Sequence, residues 1–536
     1  MDMPVKIVRQ NTMLAYLTRW RVLLAILLVP FAASAQQVKL TSITTGFVIS
    51  GELLRFDGQD YVVRSTIGQL TIDGDDIRCE GPGCPKTTIF QTTYGVVGSN
   101  LIGASLMPEL IEAYSETQSG TVERRVGSDA SQLMMRLRDG AGQDLAEIDL
   151  RARGSAEAFT ALISGEAAIG MSSRKVSNAE YAALETAGIR EITRAGTEHV
   201  LALDGLIVVV SQANGTKVIN VDDLADVFSG DIENWEDLGG PNAPIKVYMR
   251  EPGSGAHDSF VEAVLSPRST RLTPDATFVA SSRDLSDIVA SDPFAIGVTG
   301  IAYERNGRAL SLETSCGLIV EPSEFNVKTE EYPLTRRLYL YTTGAPLPPS
   351  AKGILEYSLS DDAQFQIADI GFVDQSISAI PLNSQGRRIA EAFIQPRDPE
   401  SLRTMRELAL ELLDAERLST TLRFRQNSSV LDVKSLDDIG RLARYAQDGG
   451  LDGKEVLLIG FADDAGRFEA NISLSQQRAR QIRAEVEAAL ARQGVSPGSV
   501  DFIEMGYGNL APVACDGDSL GDATNRRVEV WVRDRL

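Results

Sequence analysis

The sequence predicts a multidomain α/β protein, on three observations. At 536 residues, and about 100–200 residues to a domain, the chain has room for three or four domains. Residues 89–380 and 419–536 alternate short apolar runs with stretches of helical periodicity, the pattern of strands and helices that share a sheet. Residues 36–88 show short runs broken by turn dipeptides instead, and read as a separate small β-rich module. The hydrophobic fraction, 43%, is ordinary for a globular protein. A formal net charge of −22 argues against a nucleic-acid partner, because phosphate backbones attract clustered Lys and Arg.

Residues 1–35 stand apart. Lys6, Arg9, Arg19 and Arg21 form a basic leading region, Val22 to Phe31 is apolar, and Ala33-Ser34-Ala35 supplies small residues for cleavage. This is the pattern of a secretory signal peptide, with the mature chain starting at Gln36. The apolar run, about ten residues, is too short for a membrane-spanning helix, which needs about 20. No Cys follows it, so no lipid anchor is expected, and no later segment reads as a membrane span. Export permits disulfides. Cys79 and Cys84 bracket the turn Glu80-Gly81-Pro82-Gly83 and are expected to pair, whereas the pairing of Cys316 and Cys515 stays open. The histidines, His199 and His257, have no Cys pair beside them, so no metal site and no cofactor is expected.

In the β-rich module, Asp57-Gly58 signals a hairpin turn and Asp73-Gly74 a further turn. Within 89–380, Leu201 to Val210 is almost continuously apolar, as in a strand buried on both faces, and Val218 to Val227 has helical spacing. Largely parallel sheet is expected there. Residues 381–418 read as a helical linker, broken by Pro396 and Pro399 and strongly helical over Leu402–Leu418. The last domain reads as strand (420–424), helix (435–447), strand (455–461), helix (471–492) and two strands (501–506 and 526–532).

Three segments of that last domain carry a recognisable order. Gly460-Phe461-Ala462-Asp463-Asp464-Ala465-Gly466 ends an apolar strand, Leu474-Ser475-Gln476-Gln477-Arg478-Ala479 lies on the next helix, and Asn525-Arg526-Arg527-Val528-Glu529-Val530 opens the last strand. Together they resemble the OmpA-like peptidoglycan-binding domain over essentially all of residues 419–536. The resemblance implies an α/β sandwich that grips diaminopimelate in the peptide stem. By position, Asp463 would pair the ammonium of the ligand and Arg478 its carboxylate, with Asn471 at a polar position that helps hold it. The chemistry fits a zwitterionic carbon, since a guanidinium takes a carboxylate through two parallel hydrogen bonds. One of Arg526 and Arg527 is expected to support the site and the other to be solvated. Phe461-Ala462 stands where the family often has His-Thr.

In residues 89–380, Gly98-Ser99-Asn100, Gly154-Ser155-Ala156 and Gly253-Ser254-Gly255 each precede a helical stretch. Glycine lets backbone N–H groups face a ligand, serine adds a hydroxyl, and a helix N-terminus favours an anion. Arg250 would add a cationic clamp. Leu224 to Trp235 followed by Gly239-Gly240, Arg250-Glu251-Pro252-Gly253-Ser254-Gly255-Ala256, and Ile296-Gly297-Val298-Thr299-Gly300 resemble the phosphate-binding periplasmic component of ABC transporters, a match covering most of residues 92–378. That resemblance implies a two-lobed periplasmic binding protein fold with ligand between the lobes. The anion-binding candidates are Ser99, Ser155, Ser172, Arg250, Ser254 and Gly255. Ala256 stands where the family commonly has Thr, and Ser173 where some members have an Asp. Arg174 either adds positive charge or is a solvated surface residue.

The resulting expectation is a periplasmic, non-enzymatic protein of two functions, associated with peptidoglycan and with the outer membrane. The middle domain binds a small oxyanion, phosphate first, and the C-terminal domain binds peptidoglycan. An ABC permease is the partner that the resemblance leaves open. The alternative is a structural or interaction protein whose middle domain has lost its ligand and docks a protein partner. Intact mass of protein recovered from the periplasm is expected to match a chain beginning at Gln36 without lipid, and a retained Met1 would contradict it.

Overall fold

The computed structural model describes residues 37–42, 46–56, 60–73, 77–84, 92–394, 398–425, 428, 430–517 and 519–535. The signal-peptide segment, Gln36, Asp57-Gly58 and Gly74 lie outside these residues. The chain divides into two compact units, residues 1–88 and 89–536.

The first unit is an antiparallel five-stranded sheet in the order Gly68–Asp73, Asp60–Ser65, Val48–Phe56, Gln37–Ser42, Ile77–Glu80. Val38, Leu40, Leu53, Tyr61 and Val63 make its small core. So few apolar side chains leave a marginal fold, and the expected disulfide staples it: Cys79 and Cys84 are bonded, with Cα atoms 5.8 Å apart. The turn between them requires glycine, because Gly81 has φ 123° and a Cβ there would lie 2.7 Å from the Gln37 carbonyl oxygen.

The second unit is built on an eleven-stranded sheet and a five-stranded one. In the larger sheet, strand Glu198–Val210 runs through both halves. Its residues 198–205 pair with Thr335–Tyr341, and residues 206–210 pair with Ala295–Gly300. One lobe continues from Thr335–Tyr341 through Ala167–Ser172, Thr92–Gly98, Asp144–Ala152, Gln132–Arg138 and Thr121–Val126. The other continues from Ala295–Gly300 through Lys246–Arg250 to Thr277–Val279. Parallel pairing is central in the first lobe, whereas in the second it runs out to the edge strand Thr277–Val279. The strands that join the lobes pair antiparallel, so the expected parallel sheet is a mixed one. The reason is connectivity: the chain crosses between lobes and returns in the reverse direction. Residues 218–227 likewise split, into strand Val218–Asn220 and helix Val221–Ser229, where the Asn220 side chain accepts from the Asp222 N–H and caps the helix.

The five-stranded sheet has the order Ala379–Pro381, Glu416–Arg423, Arg527–Asp534, Lys454–Gly460, Asp501–Gly506. Helices Val433–Gln447 and Phe468–Arg492 cover one face through Leu442, Ile482, Val486 and Leu490. The other face is covered by helices Gly386–Ile394 and Pro399–Glu411, whose Ala392, Met405 and Leu408 pack on Leu457, Ile459 and Trp531. The helix expected to reach Leu418 therefore stops at Glu411, and Glu416–Arg423 is an interior strand. Its Leu and Arg residues favour a helix weakly, and pairing along both edges overrides that preference. A short helix, Ser519–Asn525, also precedes the last strand, which the sequence pattern did not indicate.

Within the second unit a buried ionic seam joins the binding-type lobes to the C-terminal sheet. Arg417, 1% exposed, donates through Nη1 to Glu331 Oε2 at 3.0 Å and lies 3.3 Å from Glu529 Oε2 through Nε. Arg423 Nη1 donates to Glu330 Oε2 at 3.0 Å, and Arg337 Nη2 to Asp432 Oδ2 at 2.7 Å. Burial alone would raise the Glu330 carboxyl, but Arg337 and Arg423 hold it at about 2. Farther out, Arg444 donates to both carboxylate oxygens of Asp361 at 2.6 and 2.9 Å. A covalent tie completes the seam: Cys316, between strands Ser311–Glu313 and Ile319–Val320, is bonded to Cys515. Removing one partner of a buried pair leaves an uncompensated charge, so Arg417→Ala is expected to cost about 3–5 kcal/mol, read as an earlier midpoint in urea unfolding. A loss below about 1 kcal/mol would mean that Glu331 and Glu529 do not depend on it.

Candidate functional site

Two sites take shape, one between the lobes and one on the C-terminal sheet. At the first, glycine brings the loops into contact. Gly98 has φ 142°, and a Cβ there would fall 2.0 Å from the Met171 carbonyl oxygen, so no other residue fits. The chain then turns so that Ser99 N donates to Met171 O at 2.8 Å, while Gly154 N donates to Gly98 O at 2.9 Å. Asn100 Nδ2 reaches across to Gly253 O at 2.5 Å, joining the loops of opposite lobes. Between them lies a cavity of about 690 Å³ lined by Asn100, Asp204, Arg250, Ser254, Gly255 and Arg336 among others.

The predicted anion residues divide into two groups. Arg250, Ser254 and Gly255 line the cavity; Ser99, Ser155 and Ser172 are not among its lining residues. Ser99 and Ser172 are buried, and Ser172 Oγ donates to Arg174 O at 2.6 Å. Ser155 Oγ accepts from Ser173 N at 3.0 Å. Those two hydroxyls hold the loops in shape. Ser254 Oγ accepts from His257 N and caps the helix Gly255–Phe260. Arg250 is fixed from behind: it donates to Val279 O at 3.2 Å, Ser282 Oγ at 2.6 Å and Ala280 O at 2.8 Å. A guanidinium has five N–H donors, so one on Nη1 and one on Nη2 remain for a ligand. Burial pulls its pKa down from the usual arginine value.

Sequence reasoning missed Arg336, whose Nε and Nη2 donate to Asp204 Oδ2 at 2.9 and 2.6 Å and whose Nη1 donates to Gly255 O at 2.9 Å. It sits in the lobe-joining strand, far in sequence from every loop that drew attention; a charged pair, Arg336-Arg337, opening an apolar strand was the only signal. Arg174 does not charge the cavity. Its guanidinium makes two 2.8 Å bonds to the Glu180 carboxylate. His257 Nδ1 lies 2.9 Å from Asp258 Oδ1.

At the second site, close packing again sets the geometry. Cβ atoms on Gly460 and Gly506 would fall 2.0 Å from Ser475 O and 2.3 Å from Gln476 N, so helix Phe468–Arg492 lies directly on the two strand ends. That contact sets Arg478 beside the Asp463 loop. Asn471, 4% exposed, donates through Nδ2 to Asp463 O at 3.2 Å, so it positions the loop through the backbone. The partner of Asp463 is not Arg478 but Arg526, whose Nη1 donates to Asp463 Oδ2 at 2.5 Å. Arg478 Nη1 is buried and, among the described residues, has no hydrogen-bond partner. The guanidinium rests over the Phe424 ring, 5.4 Å from its centroid. Burial and the like charge of Arg526 lower its pKa, and Asp463 opposes them. Two arginines thus face one carboxylate, an excess positive charge suited to a ligand carboxylate.

Arg526 supports the site as one of the two was expected to, but Arg527 is not solvated. It is fully buried, bonded to Glu529 Oε1 at 2.8 Å through Nε and stacked 4.1 Å from the Phe461 centroid. Phe461 is itself 1% exposed, so the side chain replacing the family's His faces the core. Beside the site, Asp464, Asp516 and Asp522 gather carboxylate oxygens within 4.8 Å of one another. Asp516 accepts from Asn525 Nδ2 at 2.9 Å and from Asp464 N at 3.4 Å, so it serves the loop.

The sequence matches two family models: the PBP superfamily domain over residues 118–362 and the OmpA family over residues 423–526. The phosphate-binding protein PstS of Bacillus subtilis is 29% identical over 246 residues, covering 45% of this chain and 76% of that protein. Protein SphX of Synechococcus elongatus is 30% identical over 240 residues, covering 43% of this chain and 67% of that protein. The peptidoglycan-associated lipoprotein of Pseudomonas putida is 35% identical over 116 residues, covering 22% of this chain and 64% of that protein. The chain therefore carries a PBP-like domain over residues 118–362 and a C-terminal OmpA domain over residues 423–526.

Proposed function

We propose that this chain is a periplasmic, non-enzymatic binding protein that holds phosphate between its lobes and is fastened to peptidoglycan by its C-terminal domain. The observation that carries the first half is the convergence of Arg250, Ser254, Gly255 and Asn100, from loops of both lobes, on one cavity in a domain related to phosphate-binding proteins. Arg250 supplies a held cation with N–H groups to share, and the Ser254-Gly255 backbone at a helix start can add donors. The second half rests on Arg478, a half-buried cation whose Nη1 is buried without a partner among the described residues, beside Asp463 in a domain related to a peptidoglycan-associated protein. We read the ligand there as diaminopimelate. Its carboxylate would satisfy Arg478, and its ammonium would compete with Arg526 for Asp463. A protein held on the wall in this way stores or senses the anion in place, and handing it to an ABC permease is a separate property.

Titration calorimetry tests the anion. Hydrogen bonds to charged groups are worth roughly 1.5–3 kcal/mol, so Arg250→Ala is expected to weaken phosphate about ten- to a hundredfold. Arg174→Ala, with its partner Glu180 outside the cavity, is expected to leave affinity within about twofold. An absence of phosphate binding by the parent protein at millimolar concentration would overturn this half and favour a docked protein partner in the cleft.

Co-sedimentation with purified diaminopimelate-type peptidoglycan tests the wall. Asp463→Ala and Arg478→Ala are each expected to abolish pelleting in moderate salt, because each leaves one ligand charge unpaired. Parental pelleting by both variants would remove the assigned site. Exposed Arg403 is the neutral control, and Arg403→Ala is expected to pellet as the parent does.

A further inference from the structure

The ionic seam borders a second cavity, of about 780 Å³ and open to solvent, between the middle and C-terminal domains. That volume is within the usual range of small-molecule sites. Lys175, Thr193 and Tyr339 line it from the middle domain, and Phe424, Arg425 and Thr524 from the C-terminal domain. Most of the charge on its walls is already matched. Arg337 pairs with Glu330 and Asp432, Arg423 with Glu330, and Arg417 with Glu331. Glu198 accepts from Tyr341 Oη at 3.0 Å, and Asp222 lies 3.5 Å from Arg268. Two cations remain. Lys175 is exposed, and its ammonium has no hydrogen-bond or ion-pair partner among the described residues. Arg425 uses one N–H on Thr193 O at 3.1 Å, a bond from one domain to the other, and its other N–H groups are unmatched among the described residues.

The cavity also adjoins the wall site. Phe424, which forms part of its lining, carries the Arg478 guanidinium over its ring. Val513 and Ala514 line it and donate their N–H groups to Asn525 Oδ1 at 2.9 and 3.1 Å, one residue from Arg526. The Cys316–Cys515 bond closes the same wall covalently. A ligand anchored at Asp463 and Arg478 that continues past Phe424 enters a chamber where Lys175 and Arg425 have N–H donors to spare.

We propose that this interdomain cavity is an extension of the wall site that takes the anionic sugar–peptide part of peptidoglycan next to the anchored diamino acid, with Lys175 and Arg425 pairing a second carboxylate. The proposal rests on the wall reading above. A peptide stem has carboxylates on residues adjoining the diamino acid and joins an amino sugar rich in hydroxyl and amide groups, so its chemistry matches the unused donors. The middle domain would then contribute directly to wall recognition, which no isolated C-terminal domain would reproduce.

The test is calorimetry on the mature chain with two probes, a monomeric disaccharide-tetrapeptide of the diaminopimelate type and free diaminopimelate. Lys175→Ala/Arg425→Ala is expected to weaken the disaccharide-tetrapeptide about tenfold or more and to leave free diaminopimelate unchanged. Lys175→Glu, a surface charge reversal with no packing change, is expected to weaken the larger probe in the same selective way. Equal affinities of parent and both variants for the larger probe would overturn the cavity proposal while leaving the wall site standing. A parent chain that binds neither probe would overturn both. Loss of both probes in the double variant, with retained binding in Lys175→Glu, would assign the effect to the fold and overturn the cavity proposal.

Discussion

Arg417 is the residue on which the arrangement of the second unit turns. Its guanidinium is buried between Glu331, from the loop before strand Thr335–Tyr341, and Glu529, from the last strand of the C-terminal sheet. A charge at 1% exposure is tolerable only with its partners in place, so the two domains must meet in one register. Glu529 is further held by Arg527 and Arg388, and its carboxyl stays ionised against the penalty of burial. Arg423, Arg337 and the disulfide from Cys316 to Cys515 continue the same seam outward. A flexible tether would leave the domains independent; this seam holds them together with an open cavity between them.

Both binding sites share a second device, which is glycine at a strand end or at the start of a helix. Gly98 and Gly255 admit carbonyls and side chains at distances that a Cβ would forbid, and so bring the loops of two lobes together. Gly460 and Gly506 let a 25-residue helix rest on the strand ends, which fixes Arg478 near Asp463. In each site the charged residue is then held by others. Arg250 is anchored on residues 279–282, and Asp463 on Asn471 and Arg526. Preorganised charge of this kind loses little freedom when a ligand arrives.

Much of this was legible in the sequence because the signals are local. Periodicity marked the helices of the C-terminal domain to within a few residues, and the Gly-Ser loops marked three strand-to-helix turns. Local signals failed where burial depended on distant segments. Residues 416–423 carry helix-favouring residues yet form an interior strand, because strands 379–381 and 527–534 flank it. One of Arg526 and Arg527 was expected to be solvated, but Arg526, just before strand Arg527–Asp534, reaches Asp463, and Arg527, at the start of that strand, is buried against Glu529.

By itself the sequence determined the chemical kinds present at each site: a guanidinium and Gly-Ser turns for an anion, and an Asp and an Arg on adjoining elements for a zwitterion. It determined the local pairing of Cys79 with Cys84, five residues apart. The tertiary structure alone decided which hydroxyls face the cavity and which brace the loops, that Arg336 and Asn100 join the anion site, and that Arg526 rather than Arg478 neutralises Asp463. It also decided the bond between cysteines 199 residues apart and the cavity beside it. Spacing along a chain constrains neighbours within a turn or a strand, whereas contacts between distant segments exist only after the whole core has packed.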